Sequence, residues 1–222
     1  MTKMTKLTLS QREREFKFCH FYYFLIFVIS PMLIVFYGIN NLGKSTQAKL
    51  LIDRLNNVDK RAEYLKYPVY DLQPSGVLLN EYLRKGNPFQ LTPKEAQIMY
   101  AFNRAQYQAG LQSKLSNGTI IVAEDYWGTG VAWGAGAGVD FNFLLELNKY
   151  FIKEDLALLF EGKRFTDGIE KGHLHETNDE LTSKVETAHQ TLAEQFGWKK
   201  INANESIEMV SESIWKEVQK II

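Results

Sequence analysis

Residues 38–45 read Gly-Ile-Asn-Asn-Leu-Gly-Lys-Ser, an instance of the pattern G-x-x-x-x-G-K-[ST]. The apolar run Val35-Phe36-Tyr37 before it reads as a strand, and Ala48, Leu51, Ile52 and Leu55 after it share one side of a helix. A glycine-containing turn followed by a chance Lys-Ser is the plain alternative, but the strand and helix flanks are what the motif requires. The glycines let the backbone curl so that its N–H groups face an anion at the positive end of a helix. Lys44 supplies a point charge for β- and γ-phosphates, and the Ser45 hydroxyl suits a Mg²⁺ ligand. The stretch is a phosphate-binding loop, with Gly38, Asn40, Asn41, Gly43, Lys44, Ser45 and Thr46 as its candidate contacts.

Composition narrows the partner. The 26 basic and 26 acidic side chains cancel, and no tract is basic enough for a nucleic-acid surface. A small phosphorylated ligand fits better. The single cysteine, Cys19, excludes an internal disulfide and a cysteine-based zinc site, and fits a reduced, cytoplasmic setting. At 222 residues the chain has room for one domain with a mobile lid. Residues 1–31 stand apart: a polar start, an apolar run over 18–29, then Ser30-Pro31. That run is too short to span a membrane and lacks a clear small-residue cleavage site. Residues 1–31 therefore read as an N-terminal extension, with Met32 as the functional start. Membrane or partner contact through Phe21, Tyr22, Phe24 and Leu25 is the less favoured reading.

Strands are predicted at 33–37, 61–67, 119–123, 155–160 and 198–201. Helices are predicted at 44–56, 76–84, 93–115, 140–150, 180–196 and 206–222. Thr92 is placed to cap the third of these, with Pro93 in its first turn and Glu95 completing a capping box. Residues 124–138 read as a glycine-rich connection, and 162–178 as a polar lid. Strand and helix alternate, which predicts an α/β fold: a three-layer P-loop NTPase architecture with a central parallel sheet and helices on both faces. In such folds ligands sit beyond the carboxyl ends of the strands. Here those ends carry Tyr37-Gly38, Pro68 to Tyr70, Glu124-Asp125 and Glu161-Gly162.

From Met32 onward the chain resembles the thymidylate kinase family. The resemblance is carried in order by Met32 to Phe36 with Gly38 and Gly43 to Gln47, by Tyr67-Pro68-Val69-Tyr70, and by Leu91 to Gln97 with Tyr100 and Asn103-Arg104. It continues through Glu124-Asp125-Tyr126, Ala132-Trp133-Gly134, Leu192-Ala193, Gly197-Trp198 and Ile201-Asn202-Ala203. It implies phosphoryl transfer from ATP·Mg²⁺ to a nucleoside monophosphate, dTMP above all, giving dTDP. Lys44, Glu124 and Arg164 are thereby assigned to catalysis, and Ser45 with Glu124 to Mg²⁺. Tyr67, Pro68, Tyr70, Tyr100, Arg104, Asp125 and Trp133 are assigned to the acceptor, with Tyr100 stacking on the base, Arg104 donating to a base carbonyl and Trp133 beside the sugar. Lys163, Arg164 and Lys171 would close from the lid, Glu176 would lie near metal or substrate, and a homodimer is implied by analogy.

Some residues carry a plainer reading. Tyr100 and Trp133 have apolar neighbours and read equally as core, Arg104 as a solvated helix charge, and His173 and His175 as part of a polar loop. Glu124, at the end of an apolar strand, would be costly without a partner. Three positions depart from the family pattern. Tyr37 replaces a glutamate, Asn40 an aspartate, and Asp125 the arginine that clamps the acceptor phosphate. A carboxylate there repels a monophosphate unless a cation intervenes. Three alternatives therefore stand beside dTMP kinase: a deoxynucleoside kinase with Glu124 as base toward a 5′-hydroxyl, a catalytically impaired nucleotide-binding protein, and a kinase for another monophosphate.

Overall fold

The computed structural model describes residues 32–165 and 178–222. The lid residues 166–177, with Lys171, His173, His175 and Glu176, and the extension 1–31, with Cys19, lie outside the described residues.

Strand β1 (Met32–Tyr37) is the centre of the molecule, and its apolar sequence is why: all six residues are buried. A strand flanked by others and covered on two faces has no polar side, so its pattern is continuous rather than alternating. β2 (Ala62–Lys66), β3 (Ile120–Glu124), β4 (Leu156–Glu161) and β5 (Lys199–Asn202) complete a sheet in the order β2-β3-β1-β4-β5, parallel throughout. Large-to-small substitution in such a centre, for instance Ile34→Ala, costs about 2–5 kcal/mol.

Register fixes what meets at the top of the sheet. Phe36 pairs with Glu124, and Glu124 in turn with Lys66, so three strand ends stop on one level. Helix α1 (Lys44–Asn56) follows the phosphate-binding loop and packs on β1, β2 and β3, with α7 (Ile207–Val218) beside it. Helices α2 (Ser75–Arg84) and α3 (Pro93–Ser116) pack together. α3 opens with the predicted capping box: the Glu95 N–H donates to Thr92 Oγ1 at 3.3 Å, and the Thr92 N–H donates to Glu95 Oε2 at 2.8 Å. Asp140 caps α5 (Phe141–Asn148), Asn178 caps α6 (Asp179–Phe196), and Ser206 caps α7.

One element departs from the sequence reading. The glycine-rich connection contains a buried helix, α4 (Trp127–Gly136). Glycine disfavours a helix by about 1 kcal/mol relative to alanine, yet here the missing side chains allow close packing. A Cβ at Gly128 would stand 2.4 Å from the Trp198 ring. Packing against α6 and against α3 and α5 overrides local propensity.

Candidate active site

The loop after β1 is shaped by one backbone contact. Gly38 has φ +127°, and a Cβ there would lie 2.6 Å from the Phe160 carbonyl oxygen, so no other residue fits. The chain then turns into α1 through Gly43, which offers no capping side chain and leaves the first-turn N–H groups to an anion. Lys44 is buried. Its ammonium donates to the carbonyls of Gly38 (3.0 Å) and Ile39 (2.6 Å), and stands 3.6 Å from Asp125 Oδ1. The loop therefore holds a cation at its own centre.

Glu124, the last residue of β3, is tied from three directions. Ser45 Oγ donates to it at 2.6 Å, the Tyr64 hydroxyl at 2.5 Å and Lys66 Nζ at 2.9 Å. Burial alone would raise its pKa, but Lys44, Lys66 and the two hydroxyls outweigh burial and hold the carboxyl below its ordinary value. Asp125 follows with φ +61°. Burial, aided by the Glu124 charge, pushes its carboxyl above the ordinary value, although Lys44 and a 3.3 Å bond from Thr129 Oγ1 act the other way. Adjacent carboxyls are thus driven apart, Glu124 downward and Asp125 upward from their ordinary values.

A cavity of about 310 Å³ joins this cluster to a second wall. Asn40, Asn41, Gly43, Lys44, Ser45 and Thr46 form its loop side, with Glu124 and Asp125 at the strand ends. Tyr67, Pro68, Tyr70, Tyr100, Arg104 and Trp133 line it as well. Residues 97, 100 and 104 recur at i, i+3 and i+7, so α3 turns one face to the cavity. Arg104 is 3% exposed and donates to Asn148 Oδ1 at 2.8 Å, with the Phe151 ring 5.5 Å away. Burial lowers its pKa to about 10, which still leaves a cation at neutral pH. Beside it, Asn103 is fully buried. Its Oδ1 accepts from the Val69 N–H, and its Nδ2 donates to Val69 O and Ser75 Oγ, at 2.8–2.9 Å.

Most of the predicted site residues therefore share one cavity. Gly38 shapes the loop without lining the cavity. Arg164 does not line it either; its guanidinium lies 3.8 Å from Asp179 Oδ1. The next residue, Phe165, does reach the loop, its N–H donating to Asn41 O at 2.8 Å. The backbone N–H of Lys163 donates to Asn204. Sequence reasoning assigned no role to several lining residues, the polar Lys66, Arg84, Gln97 and Thr129 among them. Gln97 was within reach through its helical spacing from Tyr100. Lys66 emerges only from strand register, and Arg84 only from the fold, which lays its guanidinium 4.9 Å from the Tyr70 ring centroid.

The chain that builds this cavity has named relatives. The family model for thymidylate kinase matches residues 36–214. The chain belongs to the thymidylate kinase family. It is 30% identical over 186 residues to a thymidylate kinase of Dictyostelium discoideum, covering 82% of each chain. To the Homo sapiens thymidylate kinase it is 30% identical over 191 residues, covering 82% of this chain and 87% of the relative. A solved thymidylate kinase structure from Candida albicans superposes with a TM-score of 0.75 at 22% identity, over 86% of this chain and 92% of that one, a likeness of fold. Among the described residues, no helix of this family member is long and apolar enough to cross a membrane.

Proposed function

We propose that this chain transfers the γ-phosphoryl group of ATP to dTMP, giving dTDP and ADP. The observation that carries the reading is the continuity of one cavity, from the loop around Lys44 to the wall of Tyr100, Arg104 and Trp133. Phosphoryl transfer needs two phosphates aligned and their charge balanced more than it needs covalent chemistry. Lys44, fixed by two loop carbonyls, is preorganised at the donor end. Tyr100 stacks on the base, Arg104 donates to its O4, and Trp133, Tyr67, Pro68 and Tyr70 enclose the sugar. Lys66 and Arg84, which line the cavity, hold the acceptor phosphate. Arg164 lies by Asp179 outside the cavity, one residue from the Phe165–Asn41 contact, and adds charge at the transferring group only by swinging away from Asp179.

The residues present fit Mg²⁺. Among the described residues no group of three His, Cys, Asp or Glu side chains is arranged for a metal. A nucleotide-borne Mg²⁺ needs only one or two protein oxygens besides phosphate and water, and Ser45 with the ionised Glu124 supplies them. When bound, the ion neutralises phosphate charge. A cytoplasmic setting fits the lone cysteine, and would be checked by cell fractionation. A homodimer fits the exposed Ile98 and Phe102, neighbours at i, i+4 on α3, and light scattering would read it.

Asp125 favours a second reading. A carboxyl with a raised pKa, 3.6 Å from Lys44, suits a 5′-hydroxyl acceptor better than a phosphate. Glu124, held ionised by its donors, is the poorer proton acceptor of the two. A coupled ADP-release assay over dTMP, dUMP and thymidine separates these readings. Turnover of dTMP with little of thymidine is expected. Turnover of thymidine alone would replace the first reading with a nucleoside kinase, and ATP binding without turnover would remove both.

A further inference from the structure

We infer that Gln97 is a specificity residue, whose side-chain amide accepts from the N3–H of a 4-oxo pyrimidine while Arg104 donates to O4. The inference rests on the nucleotide reading above and goes beyond it by adding the base's N3 to what the cavity reads.

Gln97 is 4% exposed and lines the cavity, and its Oε1 has no hydrogen-bond partner among the described residues. A buried amide left unmade is a standing cost, so a native site that keeps one has a use for it. Two more cavity-lining residues carry a buried polar atom without a partner, Arg104 at Nε and Tyr67 at its hydroxyl. Gln97 and Arg104 also converge on one spot. A Cβ at Gly130 would lie 2.9 Å from one Arg104 terminal nitrogen and 3.2 Å from Gln97 Oε1. The absent side chain of Gly130 is what lets both polar heads stand side by side at the α3–α4 seam.

The chemistry of the pair selects its ligand. A guanidinium only donates, so it calls for a carbonyl oxygen. A carboxamide both accepts and donates, and alone it would read thymine or cytosine equally well by turning over. Fixed beside a donor-only arginine, it is matched by an edge that alternates oxygen and N–H. Thymine and uracil present O4 and N3–H there. Cytosine presents an amino group toward Arg104 and a bare N3, leaving buried groups unpaired, the arrangement a site rejects most strongly.

A purely structural role is the competing account, since Gln97 also packs against α4, its Cγ 2.9 Å from where a Gly134 Cβ would be. Gln97→Met keeps that length and packing and removes the amide. In the full chain, the KM for dTMP is expected to rise at least about tenfold with the KM for ATP within about twofold, and the kcat/KM preference for dTMP over dCMP to fall by about tenfold. Unchanged selectivity in a variant that turns over dTMP normally overturns the inference and leaves the kinase reading standing. Failure of the wild-type chain to phosphorylate dTMP overturns both. Should the variant not fold, calorimetry of the wild-type chain with N3-methyl-dTMP decides the matter. Affinity equal to that of dTMP overturns the inference, and a loss of about tenfold or more supports it.

Discussion

Replacing Gly38 by alanine tests the phosphate-binding loop at its narrowest point. The new methyl would sit 2.6 Å from the Phe160 carbonyl oxygen, on a residue whose φ of +127° belongs to glycine. The strained backbone costs about 1–3 kcal/mol, and forcing a group into filled space costs about 1–3 kcal/mol more. Together they predict a loss of about 4 kcal/mol, or about 8–16 °C in Tm for a chain of this size. The Gly38 carbonyl also accepts from Lys44 at 3.0 Å, so any relief by moving the loop displaces the ammonium, and ATP affinity should fall with stability. Gly86→Ala is the control. It shares a positive φ of +68° but meets nothing within 4 Å, so it should cost only about 1–2 kcal/mol and leave ATP binding alone. Calorimetric melting and ATP titration of both variants suffice. Equal losses in the two, or a Gly38→Ala protein that binds ATP as the parent does, would refute the reasoning.

Lys44→Ala should lower turnover by on the order of a thousandfold, the scale for losing a preorganised charge at a transferring group; single-turnover rates measure it. Asp125→Asn removes a charge whose folded-state pKa is raised. The stability that such a group lends at low pH is lost as pH climbs through its folded value, so at pH 7 the amide should raise Tm. It should also lower the KM for dTMP by relieving repulsion of the acceptor phosphate; a higher KM would make the carboxylate a contact. His189 is buried, its Nδ1 bonded to Val185 O at 3.1 Å, and burial holds its pKa at about 3 against an ordinary 6.5. The native state then binds fewer protons than the unfolded chain between those values, so stability should fall as pH drops below 6.5. This one group contributes up to about 1.4 kcal/mol per pH unit. His189→Asn should flatten that acid limb in urea melts taken from pH 7 to pH 4, and an unaltered slope would rule the imidazole out.

The sequence disclosed whatever is encoded within one element. The loop motif, the capping box at Thr92 and Glu95, and the alternation of strands and helices all depend on residues a few positions apart. Features that need two elements were hidden. α4 is masked by glycines whose merit is only seen against Trp198. The Lys66–Glu124 pair follows from β2–β3 register, which no spacing announces. Gln97 lay on a legible helical face beside Tyr100, but that its Oε1 finds no partner is a property of the packed cavity. Asp125 was visible as a departure from the family pattern, while its closeness to Lys44 was not.

Asn103 has a consequence for how substrate is met. One amide, clasping both backbone groups of Val69 and the Ser75 hydroxyl, welds the segment carrying Tyr70 to the helix carrying Tyr100 and Arg104. These parts form a single preset jaw, its ordering entropy already spent when the chain folds. An incoming nucleoside then meets fixed furniture on this side, and selectivity among acceptors becomes a matter of shape and hydrogen-bond pattern rather than of adaptation.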